Sequence, residues 1–145
     1  MKKILLAGFA LVCSMVAIAD DPGVDEKVLE AFNKTFQQAE DVSWTTTEDH
    51  YQVKFTQHSI ASRVYYDMAG NITKTYRYFK EENLPLLILA KVKQKFSDQE
   101  IHGVTEVSSD SGTYYYITLQ NSTHWTEIKS DSYGALRVEK KFRKA

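Results

Sequence analysis

The 145-residue chain has a single cysteine, Cys13, which lies in an N-terminal apolar run. One cysteine cannot form an internal disulfide, so stability must come from packing. The four histidines are scattered, and none has the close spacing of a zinc site. No serine sits in a nucleophile-elbow glycine pattern, and there is no glycine-rich phosphate loop. The sequence therefore predicts a protein that is not an enzyme and uses no cofactor or metal.

The chain also has no large excess of either positive or negative charge, since its formal net charge is −1. A basic field of the kind that attracts nucleic acid is absent, so we expect no nucleic-acid partner. Hydrophobic residues make up 43% and aromatic residues 12% of the chain, which is typical of a folded protein. Nine tyrosines are the unusual feature. Tyrosine favours strands and half-wet surfaces, because its ring is apolar and its hydroxyl is polar.

One apolar run, residues 4–18, follows a pair of lysines and ends near the small residues Ala17 and Ala19. This is the pattern of a secretory signal peptide cleaved after Ala19. As a membrane span the run is short, and two aspartates follow it without a stop-transfer pattern. We therefore expect residues 1–19 to be removed, leaving a periplasmic or secreted protein with no membrane span.

Two segments have the apolar spacing of amphipathic helices. In the first half, Val24, Val28, Phe32 and Phe36 recur every fourth residue, which predicts a helix over residues 25–38. In the second half, proline opens a helix predicted over residues 85–96, since its missing N–H would be unpaired there anyway. Its predicted inward stripe consists of Leu86, Leu89, Val92 and Phe96.

Two matching turns organise the strands. Asp67 and Gly70 stand at the first and last positions of a four-residue turn, and Asp131 and Gly134 repeat the arrangement. This is the residue chemistry of type I turns that close β-hairpins. Strict alternation of apolar and polar residues over 51–56 adds a half-buried strand, and residues 113–119 read as another strand after a loop containing glycine.

The two halves align with each other, which indicates a duplication. Phe36 matches Phe96, and a second set of positions, from Tyr51 onward, matches residues 64 positions later. The change of offset falls in a loop between helix and strand, where an insertion costs little. We therefore predict an α+β fold of two tandem helix-plus-antiparallel-sheet repeats, which form one sheet with the helices packed on one face. The predicted divisions are residues 1–19 as signal peptide, 20–82 as first repeat and 83–145 as second repeat.

This spacing resembles the PepSY-like family of small exported bacterial proteins, also called β-lactamase-inhibitor-protein-like (BLIP-like). The resemblance covers about residues 25–142, and its departures are Gln37, where relatives often have proline, and the lack of a second tryptophan to match Trp44. The family implies two α-plus-antiparallel-sheet repeats and no established activity, because fold does not transfer function. The resemblance rests on Phe36, Ala39, Val42, Trp44, Tyr51, Val53, Phe55, Val64, Asp67, Gly70, Leu84 and Pro85.

If helices cover one sheet face, alternation places another set of residues on the open side. From these we predict a binding surface of Arg63, Tyr65, Tyr114, Tyr116, Trp125 and Arg137, because Tyr, Trp and Arg are enriched where proteins bind proteins. Trp125 is the most specific choice, since its match in the first half is Ala61. The same aromatic residues also suit an ordinary exposed strand. The predicted open side comprises Lys54, Arg63, Tyr65, Arg77, Tyr114, Tyr116, Trp125, Glu127, Arg137 and Glu139.

Two functions of different classes fit the sequence. The first is a non-catalytic exported binding or inhibitor-like module whose open aromatic face meets a protein or peptide of the cell envelope. The alternative is a binder of a small apolar or amphiphilic ligand held between sheet and helices, in a deep apolar pocket lined by Trp44 and Phe36. The sequence identifies neither the partner nor the oligomeric state.

Overall fold

The computed structural model describes residues 23–145, which form one eight-stranded antiparallel sheet and two short helices. The strands follow one another in the sheet in chain order, so every connection is between neighbours. The helices are α1 (Glu26–Thr35) and α2 (Leu86–Lys95), and a 3-10 turn (Glu81–Asn83) precedes α2. The strands are β1 (Glu40–Thr46), β2 (His50–Gln57), β3 (Ile60–Asp67), β4 (Ile72–Phe79), β5 (Glu100–Ser109), β6 (Gly112–Gln120), β7 (His124–Asp131) and β8 (Leu136–Arg143).

The predicted α+β class of two tandem helix-plus-sheet repeats is wrong. Strands make up 54% and helices 19% of the structure, so the fold is mostly β and is organised as one continuous sheet. The prediction failed because two strands were not recognised. β1 is exposed along most of its length, so it lacks a clear alternation. β5 was read as a loop because Gly103 and a β-bulge between Ile101 and Gly103 interrupt its period-two pattern.

The predicted division between residues 82 and 83 falls inside the 3-10 turn that follows β4. Sheet pairing crosses this point without a gap, since β4 and β5 are paired from Lys74 with Ser109 to Phe79 with Val104. The division therefore stays a prediction. The predicted signal peptide, residues 1–19, lies outside the described residues.

Both helices pack on the same face of the sheet, each over its own apolar cluster. α1 buries Val28 and Phe32, which are one helical turn apart. α2 buries Ile88 and Val92 at the same spacing. Leu86, predicted to face inward, is 82% exposed, because the buried stripe of α2 begins two residues later. Across the sheet, the α1 cluster adds Tyr51, Val53, Phe55, Val64 and Tyr66, and the α2 cluster adds Phe79, Leu84, Val104, Tyr115, Ile117, Leu119 and Ile128.

The two predicted hairpin turns are confirmed. Gly70 and Gly134 have φ values of +87° and +80°, in the left-handed region that favours glycine. In the first turn, Oδ1 of Asp67 accepts hydrogen bonds from the backbone N–H groups of Ala69 and Asn71, both at 2.9 Å. Asp131 makes the same two bonds in the second turn, also at 2.9 Å. Each aspartate thus satisfies turn amides that the sheet leaves unpaired.

Replacing Gly134 by valine is expected to lower the free energy of unfolding by about 1–2 kcal/mol, because a β-carbon is strained at positive φ. This β-carbon would lie 2.8 Å from Cδ of Lys91, a flexible side chain that can move aside once its Nζ no longer donates to the Tyr133 carbonyl at 3.0 Å. A β-carbon at Gly70 meets no atom closer than 3.8 Å, so Gly70→Val should cost the same backbone strain, about 1–2 kcal/mol. Urea denaturation measures both values. Gly103→Ala, which meets no atom within 4 Å, is the control.

Candidate binding face

The side of the sheet away from α1 and α2, here called the open face, follows from the strand register. Residues directly paired on neighbouring strands share a face. Two rows of paired residues cross the open face. The first row is Lys54, Arg63, Tyr76, Val107, Tyr114 and Asp131 on β2 to β7, and the second is Thr56, Ala61, Tyr78, Thr105, Tyr116, Lys129 and Arg137 on β2 to β8.

All six residues of the predicted binding surface lie on this face, but they do not form one cluster. Tyr114 and Tyr116 lie together on β6. Tyr65 lies on β3, three strands away. Trp125 lies near the N-terminal end of β7, where it is paired with Gln120 and Phe142, so it occupies a corner of the face. The predicted set therefore divides between the middle and the margins of the sheet. Arg63 and Arg137 lie in the two rows given above.

Arg77, which was also predicted on the open side, lies on the helix-covered face. Its neighbours across the sheet are Ser62 and Glu106, and Ser62 is itself paired with Phe55 of the α1 cluster. Nη1 of Arg77 lies 3.1 Å from Oε1 of Glu106, and the guanidinium stands over the Phe79 ring. The ion pair thus occupies a polar seam between the two apolar clusters.

The predicted set does not contain Tyr76 and Tyr78, the two open-face tyrosines of β4. The residue that could have indicated them is Phe79. If Phe79 is buried, a period of two places Arg77 on the same face as Phe79, and the alternating residues Tyr76 and Tyr78 face outward. Phe142 and Lys129 were missed as well, because β8 shows almost no alternation of burial and a lysine in a strand gives no signal of its own.

An aromatic row runs along β3 and β4. The ring centroids of Tyr65 and Tyr76 are 5.9 Å apart, and those of Tyr76 and Tyr78 are 6.4 Å apart with nearly parallel planes. His50 extends the row, with its ring 5.5 Å from that of Tyr65. Nζ of Lys74 lies 5.4 Å from the centroid of Tyr76. Tyr76 therefore leans toward β3, where its contact with Tyr65 holds it.

A second aromatic group lies on β6 and β7. Nζ of Lys129 is 3.9 Å from the ring centroid of Tyr114 and 5.4 Å from that of Tyr116. Both rings therefore lie close to a cation on β7, an arrangement worth about 0.5–1 kcal/mol at an exposed site. This contact places Tyr114 and Tyr116 toward β7 and away from β5.

Trp125 makes its own contacts at the corner of the face. His102, the extra residue of the β5 bulge, meets its ring edge-on at a centroid distance of 4.8 Å. Nζ of Lys144 lies 4.5 Å from the Trp125 centroid and donates to Oε1 of Gln120 at 3.1 Å. These contacts leave Trp125 half-buried, with one part of its ring accessible.

The charges of the open face are unevenly paired. Asp67 and Asp131 accept hydrogen bonds within their own turns, and Glu127 and Glu139 lie within ion-pair distance of lysine or arginine on β8. By contrast, the four open-face lysines and arginines of β2 to β7 have no carboxylate within 4 Å among residues 23–145. These four cations are Lys54, Arg63, Lys74 and Lys129. The middle of the open face therefore carries positive charge, although the chain as a whole is slightly acidic.

Arg63 differs from the other three cations because it has a buried donor without a partner. Its Nε is buried and has no hydrogen-bond partner within the described part of the chain. The Tyr65 side chain is the main cause that raises the pKa of Arg63, against the opposing effect of burial. The guanidinium therefore stays charged beside the tyrosines of β3 and β4, and a planar charged group with an unpaired N–H donor suits recognition of a carboxylate.

Two clefts open on or beside this face, and Tyr78 lines both. The larger has a volume of about 490 Å³ and is bounded on one side by the β2–β3 turn, where His58 and Ser59 have φ values of +50° and +63°. The smaller, of about 280 Å³, lies over the small Ala61. The larger cleft is lined by His58, Ser59, Ile60, Tyr78, Phe79, Lys80, Glu82, Asn83, His102, Gly103, Val104, Thr105 and Thr118, and the smaller by Asp41, Lys54, Phe55, Thr56, Ala61, Ser62, Arg63 and Tyr78.

The space expected for a small ligand between sheet and helix is filled by aromatic rings. Phe32 lies between Phe36, Trp44 and Phe55, with ring centroids 5.2–5.3 Å away. Phe36 also touches Phe55 at 4.7 Å. Trp44 and Phe36, proposed as walls of an apolar pocket, thus form part of a packed cluster.

Residues 23–145 contain no cluster of three or more histidine, cysteine, aspartate or glutamate side chains able to hold a metal ion. No helix within this range has the length and apolar character needed to cross a membrane.

Comparison with known proteins gives fold likeness only. No family model matches the sequence, and no curated protein matches it. Among solved structures, a BLIP-like protein from Bacteroides fragilis superimposes with a TM-score of 0.65 at 17% identity, over 87% of this chain and 94% of that one. A DUF2874 family protein from Bacteroides uniformis gives a TM-score of 0.62 at 15% identity, over 83% and 89% of the two chains.

A third similar structure is a candidate periplasmic protein from Bacteroides eggerthii. Its TM-score is 0.63 at 16% identity, over 83% of this chain and 88% of that one. In each comparison the likeness covers more than four fifths of both chains, so it concerns the fold as a whole. The protein thus has the fold seen in BLIP-like and DUF2874 proteins of Bacteroides species.

Proposed function

We propose that the protein is a non-catalytic binding module that presents its open face to a protein partner in the cell envelope. The observation that carries this proposal is the contrast between the two sides of the sheet. One face is covered by α1 and α2, whereas the other has no covering element among residues 23–145 and carries seven aromatic side chains. These aromatic residues are Tyr65, Tyr76, Tyr78, Tyr114, Tyr116, Trp125 and Phe142.

The centre of the proposed interface is the middle of the sheet. Tyr76, Tyr78, Tyr114 and Tyr116 lie there on β4 and β6, close to the cations Arg63 and Lys129. Tyrosine and arginine dominate the energetically important positions of protein interfaces, because they bury a large area at a modest entropic cost. Trp125 serves as an outer anchor at the corner, while Tyr65 and Arg137 lie toward the margins.

Export and family membership belong to the same proposal. The signal-peptide pattern of residues 1–19 supports cleavage and a periplasmic or secreted location. The similarity of this fold to a candidate periplasmic protein from Bacteroides eggerthii supports the same location. The turn and helix spacing supports a PepSY-like assignment. The inhibitor-like role named for BLIP-like proteins is one form that such binding could take, and the proposal requires only binding.

A photo-crosslinking amino acid placed at Ala61, an exposed position of the open face, tests the proposal and leaves the cations of that face in place. The same group at Lys34, on the outer surface of α1, is the control. Mature protein carrying each group is exposed to cell-envelope extract, and a protein that crosslinks only from position 61 is purified for titration. Crosslinking from position 34 alone would place the interface on the helix side and contradict the proposal.

Tyr116→Ala is expected to weaken the affinity for that purified partner by about 30-fold, corresponding to about 2 kcal/mol for a central aromatic anchor. Trp125→Ala should weaken it less, by about fivefold, and should lower the free energy of unfolding by less than about 1 kcal/mol, because the ring lies away from the helices. Tyr133→Ala is the matched control, since Tyr133 is 80% exposed in the β7–β8 turn beside α2. An equal loss in all three variants would overturn the assignment of the interface.

A further inference from the structure

The open-face residues of β5 form the floor of a trough. They are small, whereas their neighbours on β4 and β6 in the middle of the sheet are tyrosines. β4 and β6 lie about 9–10 Å apart, because neighbouring strands are spaced by about 4.8 Å. The trough, here called the β5 trough, has Gly103, Thr105, Val107 and Ser109 as its floor, Tyr76 and Tyr78 as one wall, and Tyr114 and Tyr116 as the other.

The walls of the trough are held apart by contacts on their outer sides. Tyr76 packs on Tyr65 of β3, and both tyrosines of β6 lie against Lys129 of β7. These contacts hold Tyr76, Tyr114 and Tyr116 from the sides that face away from β5, and the four floor residues are partly accessible. A channel two strand spacings wide accommodates one extended polypeptide chain, whose backbone occupies about one spacing.

Positive charge flanks both walls. Lys74 is paired with Ser109 at one end of the floor, Arg63 is paired with Tyr76 behind one wall, and Lys129 lies behind the other. None of the three has a carboxylate within 4 Å in the described part of the chain, while the nearby Asp131 is engaged by its own turn. A ligand in the trough would therefore gain from negative charge, and charge complementarity favours carboxylate side chains.

One end of the trough opens into the larger cleft. Gly103 and Thr105 belong both to the floor and to the cleft lining, which also contains His58, Lys80 and His102. The cleft carries Glu82 as well, so its charge is mixed. It provides space beyond the trough in which an extended chain can turn away from the sheet or place a larger side chain.

Single-stranded nucleic acid is the other macromolecule that aromatic and cationic sheets bind. It does so by stacking bases on the faces of aromatic rings. Here Nζ of Lys129 lies 3.9 Å from the ring centroid of Tyr114 and occupies a ring face that a base would need. The net charge of −1 also provides no basic field for a nucleic-acid backbone. The geometry therefore favours a polypeptide.

We infer that the β5 trough binds an extended acidic segment of the partner protein, with its carboxylates directed to Arg63, Lys74 and Lys129. This inference rests on the proposed function and adds the chemistry of the partner. It requires no covalent step. It predicts that binding to the trough depends on glutamate or aspartate side chains and weakens as salt concentration rises.

Fluorescence anisotropy with a labelled peptide of alternating glutamate and valine, about eight residues long to match a strand, tests the inference. We expect this peptide to bind at least about tenfold more tightly than a peptide of alternating glutamine and valine, because charged hydrogen bonds are the stronger ones. Val107→Glu, which places a carboxylate on the floor, should weaken binding by about tenfold or more. Lys129→Gln should weaken it by about fivefold, and Lys34→Gln, the same charge change on α1, should leave it unchanged.

Several results would overturn the inference. Equal binding of the two peptides would do so, as would equal effects of Lys129→Gln and Lys34→Gln. Tighter binding of an oligothymidylate of similar length would assign the trough to nucleic acid instead. Because Val107→Glu could disturb β5, its circular dichroism and melting temperature are measured first, and Lys129→Gln decides alone if that variant is unfolded. If the crosslinked partner binds through Tyr116 while the glutamate peptide does not bind, the trough inference fails and the proposed function stands.

Discussion

Phe32→Ala is expected to lower the free energy of unfolding by about 3–5 kcal/mol, the usual cost of removing a buried aromatic ring. Phe32 is only 3% exposed and touches three other rings, those of Phe36, Trp44 and Phe55. Its removal therefore loses apolar burial and leaves a cavity under α1. Since the whole stability of a domain is about 5–15 kcal/mol, the variant should be close to unfolding at room temperature.

Urea denaturation followed by tryptophan fluorescence measures this effect, because Trp44 lies within the same cluster. Phe142→Ala is the matched control. Phe142 lies on the edge strand β8 and is 56% exposed, so its loss should cost less than about 1 kcal/mol. Similar midpoints for the two variants would show that α1 does not pack on the sheet as described.

Ile117→Ala is expected to cost about 2–5 kcal/mol, the range found for isoleucine in a packed core. Ile117 lies in the middle of β6, has no exposed surface and belongs to the cluster beneath α2. Its neighbour Tyr116 points to the other face, because successive strand residues alternate. Tyr116→Ala should therefore cost less than about 1 kcal/mol, although it removes a much larger side chain.

The comparison of Ile117→Ala with Tyr116→Ala is a direct stability test of which face is covered. Equilibrium unfolding of both variants under the same conditions provides it. A larger loss for Tyr116→Ala than for Ile117→Ala would mean that the faces are assigned the wrong way round. In that case the open-face tyrosines would be core residues, and the proposed interface would not exist.

The local signals of the sequence predicted local structure well. Asp67 and Gly70 indicated a turn because an aspartate side chain accepts hydrogen bonds from the backbone N–H groups of a turn and glycine adopts positive φ. Both effects act within four residues of the chain. Apolar residues at helical spacing located both helices. Each helix is shorter than predicted and ends before a phenylalanine that does not have helical backbone angles. Such end effects depend on tertiary packing rather than on periodicity.

The predicted fold class was wrong because strands with a weak alternation of apolar and polar residues were not predicted. The hydrogen bonds of the surrounding sheet stabilise such strands. β5 is paired on both sides, by β4 and by β6, so backbone hydrogen bonds hold it despite Gly103 and the bulge. Periodicity in one segment cannot show such support, because it depends on strands that are distant in the chain. Because β1 and β5 were not predicted, the predicted proportion of helix was too high and the fold was assigned to the α+β class.

The six residues predicted to bind face away from the helices, and their role in binding stays a prediction. Their grouping was not predictable from the sequence. The register that brings Tyr76 near Arg63 and places Val107 between Tyr76 and Tyr114 is a property of four paired strands. The contact of Lys129 with two tyrosines is likewise a tertiary feature. The residue types suited to an interface could therefore be predicted from the sequence. Their arrangement into the walls and floor of the β5 trough follows only from the strand register and the side-chain contacts.

Hydroxyl-radical footprinting of the mature protein, free and bound to its crosslinked envelope partner, tests the central claim that the open face is the binding surface. Oxidation of each aromatic side chain is measured by mass spectrometry. The account predicts that binding protects Tyr76, Tyr78, Tyr114 and Tyr116 and leaves Tyr133 as reactive as in the free protein. Protection of Tyr133 and the exposed Leu86, with the four open-face tyrosines unchanged, would contradict it.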